Sequence, residues 1–241
     1  MNNNSKLQNF YNKKYKHNLH EDVTFAKMQR YPKDRFEAAV YYGESGESIL
    51  DVGCGSGNVL LGLKDKYNEC VGLEFSKERF RQLNITFSDI NNVSIIHGDI
   101  EEGIPELIGK KFDTILIVDV IEHLLSPIST IKYLNGLLKP KGRVVIISPN
   151  IAKWTRRIKL LFGQFPSTSS LDEGLLMHDK KKSTELYDEG HLHYFTYRSL
   201  RKILKERASF KKVLYGYYGR PVLFTRFLPF LFSECVTIGI K

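Results

Sequence analysis

Apolar residues in the middle of the chain come in short continuous runs, separated by stretches in which apolar positions recur every three or four residues. The runs predict five strands, at 48–52, 69–73, 93–97, 112–118 and 143–148. The stretches between them predict helices at 58–66, 77–88 and 128–138. Strands that alternate with helices form a parallel sheet, and the largely apolar run at 112–118 is typical of a central strand.

The two ends of the chain follow a different pattern. Residues 1–43 predict a helical N-terminal cap, and 149–190 predict a long irregular insertion after the fifth strand. Beyond the insertion, Thr196 is expected to cap a helix that ends near Arg207, and two apolar stretches then predict an antiparallel hairpin at the sheet edge. We therefore expect one α/β domain over 1–241, with its core at 44–148, a lid at 149–190 and a C-terminal helix and hairpin at 191–241.

The first part of the insertion, 151–165, is amphipathic. On a helix its apolar residues would share one face (Ile151, Trp154, Ile158, Leu161 and Phe165), and its basic residues the other (Lys153, Arg156, Arg157 and Lys159). One interpretation is a lid that packs on its own domain. The other is a helix that lies in a membrane interface, which would make the protein a peripheral membrane protein.

Composition limits the class of protein, its compartment and its partners. The chain has 241 residues, a net charge of +9 and three widely spaced cysteines without zinc-site spacing. No apolar run reaches the roughly 18 residues that span a bilayer, and the polar N-terminus does not resemble a secretory signal. A cytoplasmic protein with reduced thiols is expected. The positive charge permits an acidic partner, including nucleic acid, without selecting one.

The stretch Ile49–Gly57 carries the most specific chemistry of the sequence. An apolar strand runs into three glycines spaced two apart, Gly53, Gly55 and Gly57, and a helical pattern follows. Glycine lets the backbone turn tightly against a nucleotide-like ligand at the carboxyl end of a sheet. Dinucleotide sites usually have the spacing G-x-G-x-x-G. Asp51, ahead of the glycines, favours a cofactor that carries an ammonium group.

The stretch Leu50–Gly57 resembles the first motif of the class I methyltransferases that depend on S-adenosylmethionine (SAM). The resemblance implies a Rossmann-like, seven-stranded, mostly parallel sheet with helices on both faces and a reversed last strand. It also implies that Glu74 binds the cofactor's ribose, that Phe75 packs near its adenine, and that Asp99 and Ile100 bind the adenine. The predicted cofactor-binding residues are Asp51, Gly53, Cys54, Gly55, Gly57, Glu74, Phe75, Asp99, Ile100 and Asp119.

Catalytic residues are expected directly after the fourth predicted strand. The run Asp119–Leu124 resembles the D-V-x-E-H-x signature of a methyltransferase subset that includes the ubiquinone-biosynthesis O-methyltransferases. His123 is either the base that deprotonates an acceptor hydroxyl or a structural residue that covers the cofactor. His191 and His193 would point the same way from an extended segment. His123 and His193 are our predicted catalytic residues.

Three alternatives stay open at this point. Asp119, Glu122 and His123, with His191 or His193, offer oxygen and nitrogen ligands for a divalent metal, an arrangement similar to that of the small-RNA 2′-O-methyltransferases. A catalytically silent SAM-binding partner subunit is another interpretation. The interpretation we prefer is a SAM-dependent O-methyltransferase of a small hydroxylated acceptor, such as a metabolite, a glycan sugar or a quinone-like precursor.

Overall fold

A seven-stranded sheet forms the centre of the protein. The computed structural model describes residues 12, 31–168 and 190–241. The strands are β1 (Gly46–Val52), β2 (Tyr67–Glu74), β3 (Val93–His97), β4 (Phe112–Val118), β5 (Leu138–Ser148), β6 (Lys212–Gly216) and β7 (Cys235–Ile240). Their order is β3-β2-β1-β4-β5-β7-β6. All pairs are parallel except those of β7, which runs antiparallel to both β5 and β6. The predicted fold class and its reversed last strand are confirmed.

Helices cover both faces of this sheet. They are α1 (Arg35–Gly43), α2 (Asn58–Leu63), α3 (Lys77–Thr86), α4 (Pro127–Leu137), α5 (Trp154–Leu161), α6 (Tyr197–Lys202), α7 (Val222–Phe227) and α8 (Pro229–Phe232). One apolar core holds residues of α4 and α6, and the other holds residues of α1, α2 and α3. Neighbours in a strand alternate between the two cores: Leu50 lies in the first and Ile49 in the second.

Helix starts follow the capping chemistry of the sequence. Ser76 accepts a hydrogen bond from the N–H of Arg79 at the start of α3. Thr196 and Ser199 form a capping box at the start of α6, as the predicted cap requires. Helix α6 continues as a wider turn over Ile203–Arg207. Both ends of this helical stretch agree with the prediction.

The start of β5 differs from the prediction. The fifth strand was predicted at 143–148, but β5 begins at Leu138 and includes the Pro- and Gly-containing stretch Lys139–Gly142. Pairing with β4 shifts there, from Phe112 opposite Leu138 to Thr114 opposite Arg143, so the intervening residues bulge out of the ladder. The turn-forming residues therefore lie in a bulge within the strand.

Two other predictions are only partly covered. Most of the predicted cap (1–11 and 13–30) and the insertion from 169 to 189 lie outside the described residues. The predicted C-terminal hairpin is present as β6 and β7, although α7 and α8 intervene between these strands.

Cys54, Cys70 and Cys235 are buried and form no disulfide. Among the described residues, no helix combines the length and apolar content that a membrane crossing needs.

Candidate active site

The loop after β1 is shaped by its glycines. Gly53, Gly55 and Gly57 have φ values of 70°, 57° and 81°, in the left-handed region that favours glycine. A Cβ on Gly53 would lie 2.5 Å from the Cγ2 of Val120, and one on Gly57 would lie 2.6 Å from the ring of Phe87. A Cβ on Gly55 would meet nothing closer than 3.9 Å. Gly53 and Gly57 therefore permit close packing, while Gly55 leaves space beside the loop.

Two buried carboxyl groups stand beside this loop. Glu74, at the end of β2, accepts hydrogen bonds from the N–H of Gly55 (2.9 Å) and of Ser76 (2.7 Å). Asp51 is only 2% exposed, and its Oδ2 has no hydrogen-bond partner among the described residues. Burial, together with the charge of Glu74, raises the pKa of Asp51 to about 7. Burial also raises the pKa of Glu74. A cationic group would relieve both carboxylates, and the ammonium of SAM is such a group.

The loop after β3 contributes further acids. Asp99 accepts a hydrogen bond from the N–H of Glu101 (2.9 Å), and burial raises the pKa of its carboxyl group. The carboxylate of Glu101 accepts from the N–H of Leu125 (2.9 Å) and of Ser126 (2.6 Å), the residues just before α4. Glu101 therefore ties the loop after β3 to the loop after β4.

These loops enclose a cleft of about 820 Å³, its open mouth included, at the carboxyl ends of the strands. It is lined by Val52, Gly53, Gly55, Leu73, Glu74, Phe75, Arg79, Gly98, Asp99, Ile100, Glu101, Asp119, Val120, His123 and Leu124. Seven of the predicted cofactor-binding residues are in this lining. Asp51, Cys54 and Gly57 are not: Asp51 is buried, Gly57 packs against Phe87, and a Cβ on Gly72 would lie 2.8 Å from the sulfur of Cys54.

Asp119 is held by an arginine that the sequence did not single out. Its Oδ2 lies 2.6 Å from Nη1 of Arg35, at the start of α1. Its backbone N–H donates to the carbonyl of Ile147 (2.9 Å), and its φ is 50°. Asp34 caps α1 and thereby fixes where Arg35 begins the helix. The N-terminal part of the chain thus reaches the cleft through an ion pair.

His123 lies in the cleft wall with a fixed tautomer. Its Nδ1 is 2.7 Å from the carbonyl oxygen of Gly190. A carbonyl oxygen only accepts, so Nδ1 carries the proton and Nε2 is the basic nitrogen. The ring of His191 packs edge-on against that of His123 at 4.7 Å. Nδ1 of His191 lies 2.7 Å from the hydroxyl oxygen of Thr168.

Glu122 organises the residues around His123. Its side chain is 1% exposed, and its Oε2 accepts a hydrogen bond from the hydroxyl of Ser148 (3.0 Å). Its carbonyl oxygen accepts from the N–H of both Leu192 (2.8 Å) and His193 (3.1 Å). Glu122, His123 and His191 each offer one ligand atom, and these atoms lie within 4.8 Å of one another. The cluster omits Asp119, the first member of the metal set considered from the sequence.

The histidine pair differs from what an extended segment would give. Two successive N–H groups that donate to one carbonyl oxygen require an irregular backbone, because successive N–H groups of a strand point in opposite directions. Accordingly, His191 is buried against His123, while His193 is half-buried with its ring 6.2 Å from Phe195. The sequence analysis did not identify Arg35, Arg79 or Glu101, because none of them lies in a recognisable motif.

Comparison with known proteins gives the family. Residues 24–214 match the family model described as a methyltransferase domain. The chain is 28% identical over 140 residues to N-methyltransferase 4 of Papaver somniferum, a match that covers 54% of this chain and 39% of that protein. It is 28% identical over 109 residues to the ubiquinone biosynthesis O-methyltransferase of Alkalilimnicola ehrlichii, covering 45% and 44%. The chain thus spans less than half the length of these relatives.

Solved structures share the fold. A SAM-dependent methyltransferase from Archaeoglobus fulgidus matches with a TM-score of 0.57 and 18% identity, over 86% of this chain and 91% of that one. A putative methyltransferase from Bacillus halodurans matches with a TM-score of 0.53 and 12% identity, over 85% and 96%. At these identities the likeness concerns the fold. With the family match, the glycine loop and the buried acids, it shows that the chain belongs to the class I SAM-dependent methyltransferases.

Proposed function

We propose that this chain transfers the methyl group of SAM to a hydroxyl oxygen of a small acceptor, with His123 as the general base. The observation that carries the proposal is the hydrogen bond from Nδ1 of His123 to the carbonyl oxygen of Gly190 (2.7 Å). This hydrogen bond fixes the tautomer in which Nε2 is the basic nitrogen, and the histidine lines the cleft. The ubiquinone-biosynthesis relatives are named as O-methyltransferases, which supports oxygen as the acceptor atom.

Residues around the cleft would hold SAM, which supplies an activated methyl group on a positively charged sulfur. Glu74 can accept the ribose hydroxyls with the oxygen lone pairs that remain beside its bonds to Gly55 and Ser76. Phe75, Asp99 and Ile100 line the part of the cleft where the resemblance puts the adenine. Asp51 provides the negative charge for the ammonium group.

The proton and the bonds balance in a single displacement. The acceptor oxygen forms a bond to the methyl carbon as the carbon–sulfur bond breaks, and S-adenosylhomocysteine leaves with the bonding electrons. His123 takes the hydroxyl proton at Nε2 and becomes a cation. The Gly190 carbonyl continues to accept from Nδ1 in that cation, so the ring keeps its orientation while it gains a proton. His193 stays a candidate for contact with the acceptor.

The proposal is tested by methyl-transfer assays with radiolabelled SAM and a panel of catechols, hydroquinones and hydroxylated benzoates. We expect His123→Asn to lower kcat by about a hundredfold or more and to leave the Kd of SAM unchanged. The rate of the wild type should rise with pH as a histidine base loses its proton, and H123N should lack that rise.

His193→Asn serves as the matched variant, because it changes a neighbouring histidine outside the cleft lining. A smaller effect that falls mainly on KM would fit acceptor contact by His193. If H123N has the kcat and the pH profile of the wild type, His123 is not the general base. SAM binding without turnover on nitrogen, oxygen or carbon acceptors would favour the silent-subunit alternative.

A second candidate, metal-assisted 2′-O-methylation of RNA, is favoured by one observation, the cluster of Glu122, His123 and His191. Two imidazoles and a carboxylate suit several divalent metals. The two proposals exclude each other at one atom, since Nε2 of His123 cannot bind a metal and accept a proton together. Activity that EDTA abolishes and Mg²⁺ or Mn²⁺ restores, with salt-dependent RNA binding, would favour this candidate. Activity unchanged in EDTA would remove it.

A further inference from the structure

Helices α5, α7 and α8 expose a large number of apolar side chains. Exposed fractions on this surface reach 79% for Leu161, 74% for Phe162 and 68% for Phe227. The residues that form it, called here the apolar surface, are Trp154, Ile158, Leu160, Leu161, Phe162, Leu223, Phe224, Phe227, Leu228 and Phe230. Scattered exposed apolar residues are ordinary, but a cluster of this size marks a site of interaction.

Two of the basic residues at the start of α5, Lys153 and Arg156, face inward. Glu234, just before β7, pairs with Nζ of Lys153 (2.9 Å) and with Nη1 of Arg156 (2.7 Å). Arg156 also donates to the carbonyl oxygens of Asn150 (2.7 Å) and Ser167 (3.0 Å). Both cations hold the pKa of Glu234 below its usual range despite its burial. No residue of α5 is buried, so among the described residues its apolar face is not covered by the rest of the domain.

The apolar surface is continuous across the three helices. Phe232, at the end of α8, has its ring 6.3 Å from the ring of Trp154 in α5 and 5.1 Å from that of Phe224 in α7. Elements that are about 70 residues apart in sequence, 154–161 and 222–232, therefore present one face. That face is attached through Asn150 and Glu234 to the ends of β5 and β7.

The two described segments that carry this surface contain charges of a single sign. Neither 151–168 nor 217–233 contains an aspartate or glutamate. Arg157, Lys159, Arg220 and Arg226 are exposed in these segments, and among the described residues none of them forms an ion pair with a carboxylate. The guanidinium of Arg226 lies 5.8 Å from the ring centre of Phe227. Cations thus border, and partly cover, the exposed aromatic rings.

We propose that the apolar surface docks on an anionic lipid bilayer, with its rings and leucines in the interfacial region and its four cations at the headgroups. Apolar side chains bordered by Lys and Arg have both properties that interfacial binding uses. A second copy of the chain is the weaker match, because self-association would bring like charges together around the contact. The proposal does not depend on which acceptor is methylated.

Trp154 is the only tryptophan of the chain and lies within the apolar surface, so its fluorescence reports on docking directly. We expect its emission to shift to shorter wavelength when vesicles that contain phosphatidylglycerol are added, and much less with phosphatidylcholine alone. Brominated acyl chains should quench it. Co-sedimentation with the same vesicles measures affinity.

Matched variants distinguish binding through this surface from nonspecific adsorption to vesicles. Leu161→Asp with Phe227→Asp should abolish binding, whereas Ile108→Asp, at another exposed apolar residue (81%), should leave it intact. Replacing Arg157 or Arg226 with Gln should weaken binding about fivefold each, and Arg201→Gln, in α6, should not. Thermal melts verify that the variants fold.

Three results would overturn the proposal: no shift with anionic vesicles, equal loss in I108D, or binding that the paired aspartates do not reduce. Concentration-dependent dimerisation that L161D and F227D abolish, without vesicle binding, would assign the surface to a second copy of the chain.

Discussion

The two halves of the cleft are built in different ways. On the cofactor side, the bond between the N–H of Gly55 and Glu74 joins residues 19 positions apart, in two adjacent strand ends. On the side where we propose that the acceptor binds, His123 is oriented by Gly190, 67 positions away, and Glu122 by Ser148, 26 positions away. The first half depends on local backbone geometry, and the second on contacts that form only when distant segments meet.

The largest effect that would test this contrast is expected at Asp51. The pKa of its carboxyl group, about 7 in the fold, lies above its ordinary value of 3.8. A raised pKa means that the folded state is most favoured while Asp51 is protonated, and that stability is lost as pH rises from about 4 through 7. The loss is roughly 4 kcal/mol. Asp51→Asn should therefore stabilise the cofactor-free protein at pH 8 and weaken SAM binding.

Chemical denaturation of both proteins at several pH values, with titration of SAM by calorimetry, measures the two effects of D51N. Asp65→Asn is the control, since the side chain of Asp65 is 83% exposed and its loss should change neither. A stability curve for D51N that keeps the slope of the wild type would show that Asp51 is not the group responsible.

The next effect concerns the close contact between the glycine loop and the loop after β4. A Cβ on Gly53 would stand 2.5 Å from Val120, and relief of that overlap displaces one loop or the other. We expect Gly53→Ala to raise the Kd of SAM by about thirtyfold. Gly103→Ala is a control with similar backbone strain, because Gly103 has a φ of 80° with nothing within 4 Å of its Cβ position. If both variants raise the Kd of SAM equally, backbone strain alone explains the result.

The smallest effect tests the link between the two halves. Glu101→Ala removes the acceptor of two backbone N–H groups, those of Leu125 and Ser126. We expect a loss of about 1 kcal/mol in the local stability of the loop before α4. Hydrogen exchange at these two amides measures it, and Glu102→Ala is the neighbouring exposed control. Unchanged exchange in E101A would show that the loop is held by other contacts.

The sequence predicted well what depends on local pattern. The bounds of β3 (Val93–His97) and β4 (Phe112–Val118) are as expected, because each is a short, largely apolar stretch followed by polar residues or glycine. Glu74 lies at the end of β2 and lines the cleft, where the family motif puts it. These features require only that the sheet forms in the expected order.

Features that depend on distant partners were not predictable. The inward orientation of Lys153 and Arg156 is set by Glu234, about 80 residues later, while helical periodicity alone favoured burial of the opposite face. Likewise, the contact of His191 with His123 follows from the donation of two N–H groups to the carbonyl of Glu122. No periodicity in the sequence encodes that bend.

Glu101 connects the two halves of the cleft. It lines the cleft, and its carboxylate also accepts hydrogen bonds from the backbone just before α4. Binding linkage is reciprocal. If bound SAM raises the affinity for an acceptor by ordering this loop, a bound acceptor raises the affinity for SAM by the same factor. The two hydrogen bonds that Glu101 accepts from Leu125 and Ser126 are the place in the structure where such coupling would be measured.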